Sequence, residues 1–263
     1  MRGSRFVAAC VAIAVIALGT SAQVATAQGA VHRSRAAAPL SGSITVLAAA
    51  SLTEAFTAIA HDFTRLHPRV HVTFSFGASN ALAAQIVSGA PADVFASASV
   101  PTMQQIVRAG AASKPLLFAR NRMIIVTPPD NPAHIRSLRD LARNDVSVAV
   151  CAQQVPCGTT ANAVFARAGI HVTPVTAEVD VKSVLTKVEL GEMDAGIVYV
   201  TDANSAGASV ASVSIPARWN SETAYPIVAL RSSPDASAAR AFVAFVRSAA
   251  GERRLAAVGF ARG

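Results

Sequence analysis

Ser51 and Glu54 stand three residues apart where an apolar run, Ile44-Thr45-Val46-Leu47, gives way to Ala48-Ala49-Ala50. Leu52, Ala55, Phe56, Ile59 and Phe63 then follow at helical spacing. The pair has the form of a capping box, in which the serine hydroxyl and the glutamate carboxylate satisfy the first free N–H groups of a helix. The stretch predicts a strand, a tight turn and a helix capped by Ser51. A helix start of this kind gathers N–H donors and favours an anion. Glu54 is expected to turn to solvent, because a carboxylate folded back on the turn would repel an anion and occupy a donor.

Comparable turns recur. Ser79 follows Phe76-Gly77-Ala78, Cys157 precedes Gly158-Thr159-Thr160, Val181 opens a helical pattern after Asp180, and Tyr199 ends the apolar run Gly196-Ile197-Val198. Each taken singly has an ordinary structural explanation, a cap or a packed aromatic. Together they fall at the carboxyl ends of strands, where ligands of open parallel sheets bind. None of the five candidate donors is Arg or Lys.

Other chemistries fit less well. Ala49-Ala50-Ser51-Leu52-Thr53 lacks the glycines of a G-x-S-x-G nucleophile elbow, and His61 and His67 suit surface positions at a helix end, so an exported serine hydrolase is the weaker alternative. Ferric binding would want several tyrosinates, and the chain has only Tyr199 and Tyr225, in separate segments.

The 263 residues are 52% hydrophobic and 14% charged, which describes a folded protein with a substantial core. Arg2 and Arg5 precede an apolar run from Phe6 to Leu18, and Ala25-Thr26-Ala27 supplies a cleavage site, so residues 1–27 read as a secretory signal. Export to the periplasm or cell-envelope space follows. Cys10 lies at the start of the apolar run instead of after it, which speaks against lipid attachment. No later stretch reaches the roughly 18 apolar residues of a spanning helix, so the mature protein is expected to be soluble. Loss of Arg2 and Arg5 lowers the formal net charge from +8 to +6. The remaining arginines are scattered, with the densest group (Arg247, Arg253, Arg254, Arg262) on a helical pattern, and aromatics are few; a solvated basic face fits better than nucleic-acid binding.

Export also places Cys151 and Cys157 in an oxidising compartment. A disulfide between them is favoured over two free thiols, and closing so short a loop contributes about 2 kcal/mol in the chain-entropy model. A catalytic Cys is the third option; His171 is near in sequence but forms no recognisable Cys/His pattern.

Residues 28–42, rich in Ala, Ser, Gly and Arg, read as a flexible leader. From Ser43 the order is strand, helix, strand (70–76), helix, strand (92–96), helix after Pro101, and a buried strand at 122–127. Past the turn cluster 128–132 the alternation restarts. Helices are expected at 137–143, about 158–168 and 181–190, and strands at 146–151, about 172–176, 195–200 and 209–214. A strand at 225–230 and one long helix after Ser233-Pro234-Asp235 complete the chain. Alternating β and α elements imply two lobes, each a mostly parallel sheet flanked by helices.

The motifs, in order, resemble the periplasmic molybdate-binding proteins of ABC importers over nearly all of residues 43–260. Ile44 to Leu52 is similar to the family's first strand and serine turn, Phe76 to Ile86 to its second serine loop, and Gly89 to Ala98 to its G-A-P-A-D strand. Val155-Pro156-Cys157-Gly158 stands where the family has V-P-A-G, Asp180-Val181-Lys182 is similar to E-D-V-R, and Gly196 to Tyr199 to G-I-V-Y. The resemblance implies a two-lobe type II periplasmic binding fold, lobe I being 43–124 plus 227–263 and lobe II 125–226, hinged near 122–127 and 226–231. It implies that molybdate, and also tungstate, is gripped by the hydroxyl and N–H of Ser51 and of Ser79, the N–H groups of Cys157 and Val181, and the Tyr199 hydroxyl. Cys157 replaces the family's usual Ala, which a backbone donor tolerates, and Asn80 stands where Ser or Gly is frequent. It also implies a monomer with no cofactor and no catalytic residue, no direct protein–metal bond, and a membrane permease with a cytoplasmic ATPase as partner. Another oxyanion, such as sulfate or thiosulfate, is the alternative ligand. A donor-only site rejects phosphate, whose remaining proton needs an acceptor.

Overall fold

A computed structural model describes residues 39–263. The expected signal, most of the leader and Cys10 lie outside the described residues. Ten strands order as β2-β1-β3-β9-β4-β7-β5-β6, with β8 and β10 paired to β4. In the first group, β1 (Ser41–Ala49), β2 (Arg69–Gly77) and β3 (Val94–Ala96) run parallel. Here β9 (Glu222–Ala229) lies antiparallel to β3. In the second group, β5 (Val148–Cys151), β6 (Thr176–Glu178) and β7 (Ala195–Tyr199) are parallel. The groups meet in β4 (Leu116–Thr127), whose first half pairs with β9 and whose second half pairs with β7 and β8 (Ala211–Val213). The short β10 (Ala261–Arg262) closes the first group's edge along β4.

At that changeover the Asn220 side chain acts as a missing strand residue. Its Oδ1 accepts from the Met123 N–H at 3.1 Å and its Nδ2 donates to the Met123 carbonyl at 2.8 Å. Backbone groups that the sheet leaves open at the crossing are thereby satisfied.

Helices cover both groups. In the first, α1 (Thr53–Leu66), α2 (Ser79–Val87), α3 (Val100–Arg108), α7 (Ala236–Val246) and α8 (Ala249–Ala257) bury Phe56, Ile59, Phe63 and Phe242 against the strands. In the second, α4 (Pro156–Ala168), α5 (Val181–Glu189) and α6 (Val200–Ala206) bury Val164, Val184 and Val188. The apolar stripes at spacings of three and four in α1 and α5 are what the packing uses. Among the described residues no helix is long and apolar enough to cross a membrane.

Several elements differ from the sequence reading. The expected helix at 137–143 is a 3-10 turn, Leu138–Ala142, whose Asp140 carboxylate takes the N–H groups of Arg136 and Ser137. The strand expected at 172–176 forms instead at Thr176–Glu178, beyond Pro174, which has no N–H to give to a ladder. The single long C-terminal helix breaks into α7 and α8 because the Ser248 side chain caps the Gly251 N–H. Asp235 does not cap α7; its carboxylate accepts the Ser43 N–H, pinning the start of β1.

Candidate functional site

Ser51 is not a helix cap. A 3-10 turn, Ala50–Leu52, separates β1 from α1, and Leu52 occupies the N-cap position with no side-chain bond. The extra turn winds Ser51 inward until it is 3% exposed, and its Oγ lies 2.9 Å from the Tyr225 hydroxyl of β9. Nor does Glu54 complete a capping box or turn simply to solvent. Its carboxylate receives the Lys182 ammonium from α5 at 2.7 Å. The local S-x-x-E pattern is outcompeted by partners far away in the chain.

Ser51, Ser79, Cys157, Val181 and Tyr199 line one cavity of about 20 Å³, together with Ala49, Ala50, Gly77, Ala78 and Ala98 from the first group and Val155, Pro156 and Asp180 from the second. A space of that size is on the scale of one or a few small polar atoms. It is far below the roughly 300 Å³ at which pockets for larger organic ligands begin. Small residues bring the backbone close, and Gly158 shows how close. A Cβ there would sit 2.0 Å from the Ala152 carbonyl oxygen, so only glycine lets α4 start against the end of β5. Asn80 is not among the lining residues.

Backbone donors converge because helices begin there. Neither α2 nor α4 has a side-chain cap, and Pro156 at the first turn of α4 makes Cys157 its first N–H. First-turn N–H groups have no partner within a helix. In α5 the Asp180 carboxylate accepts from the Ser183 N–H at 2.9 Å and from its hydroxyl at 3.1 Å, leaving the N–H of Val181 at the very start. A disulfide joins Cys151, at the end of β5, to Cys157, with Cα atoms 5.7 Å apart. It ties the first turn of α4 to the sheet.

The side chains are poised to donate. Ser79 Oγ accepts the Ala98 N–H at 3.0 Å, so its own proton is available to another acceptor. The Tyr199 hydroxyl is fully buried and makes no hydrogen bond. Burial pushes its pKa upward and nearby Asp202 adds to the rise; the Thr160 and Tyr225 hydroxyls oppose it without bonding in good geometry. Burial likewise raises Tyr225 well above the usual phenol value. Both remain protonated donors at neutral pH.

Behind Tyr199, Asp202 is wholly buried. Its Oδ2 accepts the Tyr199 N–H at 3.2 Å, its Oδ1 has no hydrogen bond, and Lys182 Nζ stands 3.5 Å away. Burial is the largest influence on Asp202 and pushes its pKa up to about 7, against the pull of Lys182. Tyr225, Lys182 and Asp202 are the residues that sequence reasoning missed. Among the described residues no group of three or more His, Cys, Asp or Glu side chains could hold a metal ion.

The family of bacterial extracellular solute-binding proteins matches residues 44–261. The molybdate-binding protein ModA of Mycobacterium tuberculosis is 40% identical over 257 residues, covering 97% of this chain and 96% of that protein. Among solved structures, the periplasmic molybdate-binding protein of Azotobacter vinelandii superposes with a TM-score of 0.75 at 20% identity, covering 84% of this chain and 99% of that one. The sulfate-binding protein SubI of M. tuberculosis superposes equally well, with a TM-score of 0.75 at 21% identity, over 84% of this chain and 86% of its own. At those identities the structural likeness establishes the fold alone.

Proposed function

The chain belongs to the bacterial extracellular solute-binding proteins, and from that premise we propose that it captures molybdate, and tungstate as an anion of the same shape and charge, for an ABC importer. The observation that carries the reading is the Tyr199 hydroxyl, buried and unpartnered beside a cavity of neutral donors. Leaving such a group without a partner costs about 1 to 3 kcal/mol. An arriving acceptor would recover that cost.

A tetrahedral dianion offers acceptors only. Hydroxyls of Ser51, Ser79 and Tyr199 and the N–H groups of Ser51, Ser79, Cys157 and Val181 would each give a charge-assisted bond, typically about 1.5 to 3 kcal/mol. The helix starts add favourable dipole potential. The anion would be held whole, without a protein–metal bond and without a cofactor.

Ser51 and Ser79 belong to the first strand group and Cys157, Val181 and Tyr199 to the second, so the two groups would act as lobes closing on the anion. They would bend where β4 changes over near Met123 and, instead of near 226–231, which lies within the first strand group, where the chain enters β9 at Glu222. A monomeric protein so closed would present the anion to a membrane permease driven by a cytoplasmic ATPase, on the outer side of the membrane. The absence of histidine from the cavity lining, and the engagement of Ser51 Oγ by Tyr225, favour binding over hydrolysis.

Calorimetric titration with molybdate, tungstate, sulfate, thiosulfate and phosphate tests this. Molybdate and tungstate are expected to bind far more tightly than the rest. Sulfate or thiosulfate binding as tightly as molybdate would overturn the molybdate assignment.

A further inference from the structure

Three acidic side chains lie at or near the cavity proposed for a dianion. Asp180 lines it, Glu54 opens the first turn of α1 beside Ser51, and Asp202 lies buried behind Tyr199. Negative charges that near should oppose an anion. Asp180 is held by Ser183 as a helix cap, but Glu54 and Asp202 share a single cation. Lys182, next to Val181, lies 2.7 Å from Glu54 Oε1 and 3.5 Å from Asp202 Oδ1.

We propose that Lys182 sets the charge preference of the anion site: its ammonium offsets Glu54 next to the cavity, so that a doubly charged anion is held by neutral donors despite the acidic helix start. The inference rests on the molybdate reading above and adds a specificity-determining residue to it. Lys182 makes no contact with the cavity itself; it acts through the field. As a plain surface ion pair the contact would be worth little. Its weight comes from the dianion, whose interaction with any uncompensated charge is double that of a singly charged ion.

Charge compensation and a mere mechanical tie predict different variants. The purified protein is titrated with molybdate and with perrhenate, a singly charged tetrahedral oxyanion, and folding is monitored by thermal unfolding. Lys182→Met is expected to weaken molybdate about tenfold or more and perrhenate distinctly less, because the penalty scales with ligand charge. Glu54→Gln is expected to tighten molybdate a few fold, and the double variant to return to within about threefold of the original affinity. Lys182→Arg should retain binding. Glu54→Gln weakening or leaving unchanged the molybdate affinity would overturn the proposal, as would equal losses for the two anions in Lys182→Met. Should Lys182→Met fail to fold, Glu54→Gln alone decides. An unaltered protein that binds neither anion would overturn the molybdate reading and this inference with it, whereas tight molybdate binding that the variants leave unmoved would overturn the inference alone.

Discussion

The hydroxyls of Ser51 and Tyr225 lie 2.9 Å apart, one on the turn after β1 and the other on β9, 174 residues later. The contact orients Ser51 from behind. If the phenol donates, the serine proton is left for the cavity.

Tyr225→Phe is therefore expected to weaken molybdate binding by about 0.5 to 1.5 kcal/mol, the usual net worth of one hydrogen bond. Isothermal titration of the variant beside the unaltered protein measures it. An unchanged affinity would show that Ser51 needs no orienting partner.

Tyr199→Phe should separate binding from stability. Affinity for molybdate is expected to fall by about 1 to 3 kcal/mol, while the ligand-free protein becomes no less stable, because the deleted hydroxyl has no partner to lose. Titration and thermal unfolding together check this. Loss of stability with intact affinity would place the hydroxyl outside the site.

Asp202 gives a pH dependence with a definite sign. Its pKa is raised to about 7 in the folded protein from an ordinary value of 3.8. Between those values the folded state holds a proton that the unfolded state has released. Its contribution to stability is thus fully present below about pH 4 and is lost as pH rises toward about 7. Its size is at most about 4 kcal/mol on this basis, the pull of Lys182 already being part of the value of about 7. Urea unfolding at pH 5 and pH 8 should show the decline, and Asp202→Asn should flatten it. Equal slopes in the two proteins would mean that Asp202 titrates normally.

Removing the disulfide with Cys151→Ser and Cys157→Ser is expected to cost about 2 kcal/mol of stability. Molybdate affinity should fall only modestly, since the donor at 157 is a backbone N–H that serine retains. A large loss of affinity with unchanged stability would show that the bridge serves chiefly to hold the α4 turn in register. Thermal unfolding and titration of the double variant distinguish the two.

The five candidate residues share one sequence signal, a strand giving way to a helix, and the structure brings all five to one cavity. Val94-Phe95-Ala96 and Gly196-Ile197-Val198 are buried strands by their composition, and the residues after them are placed by the chain's own geometry. What failed was partner choice. Ser51 and Glu54 satisfy a local capping pattern, yet Ser51 pairs with Tyr225 and Glu54 with Lys182, 128 residues away. Helix α6, with its polar Asp202-Ala203-Asn204-Ser205, was hidden for a related reason. Its stretch carries little apolar periodicity of its own and takes its form from packing against β4. Tertiary contact overrides local preference there.

Because β4 carries ladder pairs to both strand groups, with Asn220 clamped onto Met123 between them, the strand is a shared ruler for the whole molecule. Inserting one residue between Arg122 and Met123 would turn every later side chain of β4 to the opposite face and shift the strand carrying Tyr199 out of register with the strand group carrying Ser51. Mutational tolerance should accordingly be uneven: lengthening the exposed turn at Pro128-Pro129-Asp130 is expected to be borne, whereas a single inserted codon inside β4 is expected to be lost from any population selected for anion uptake.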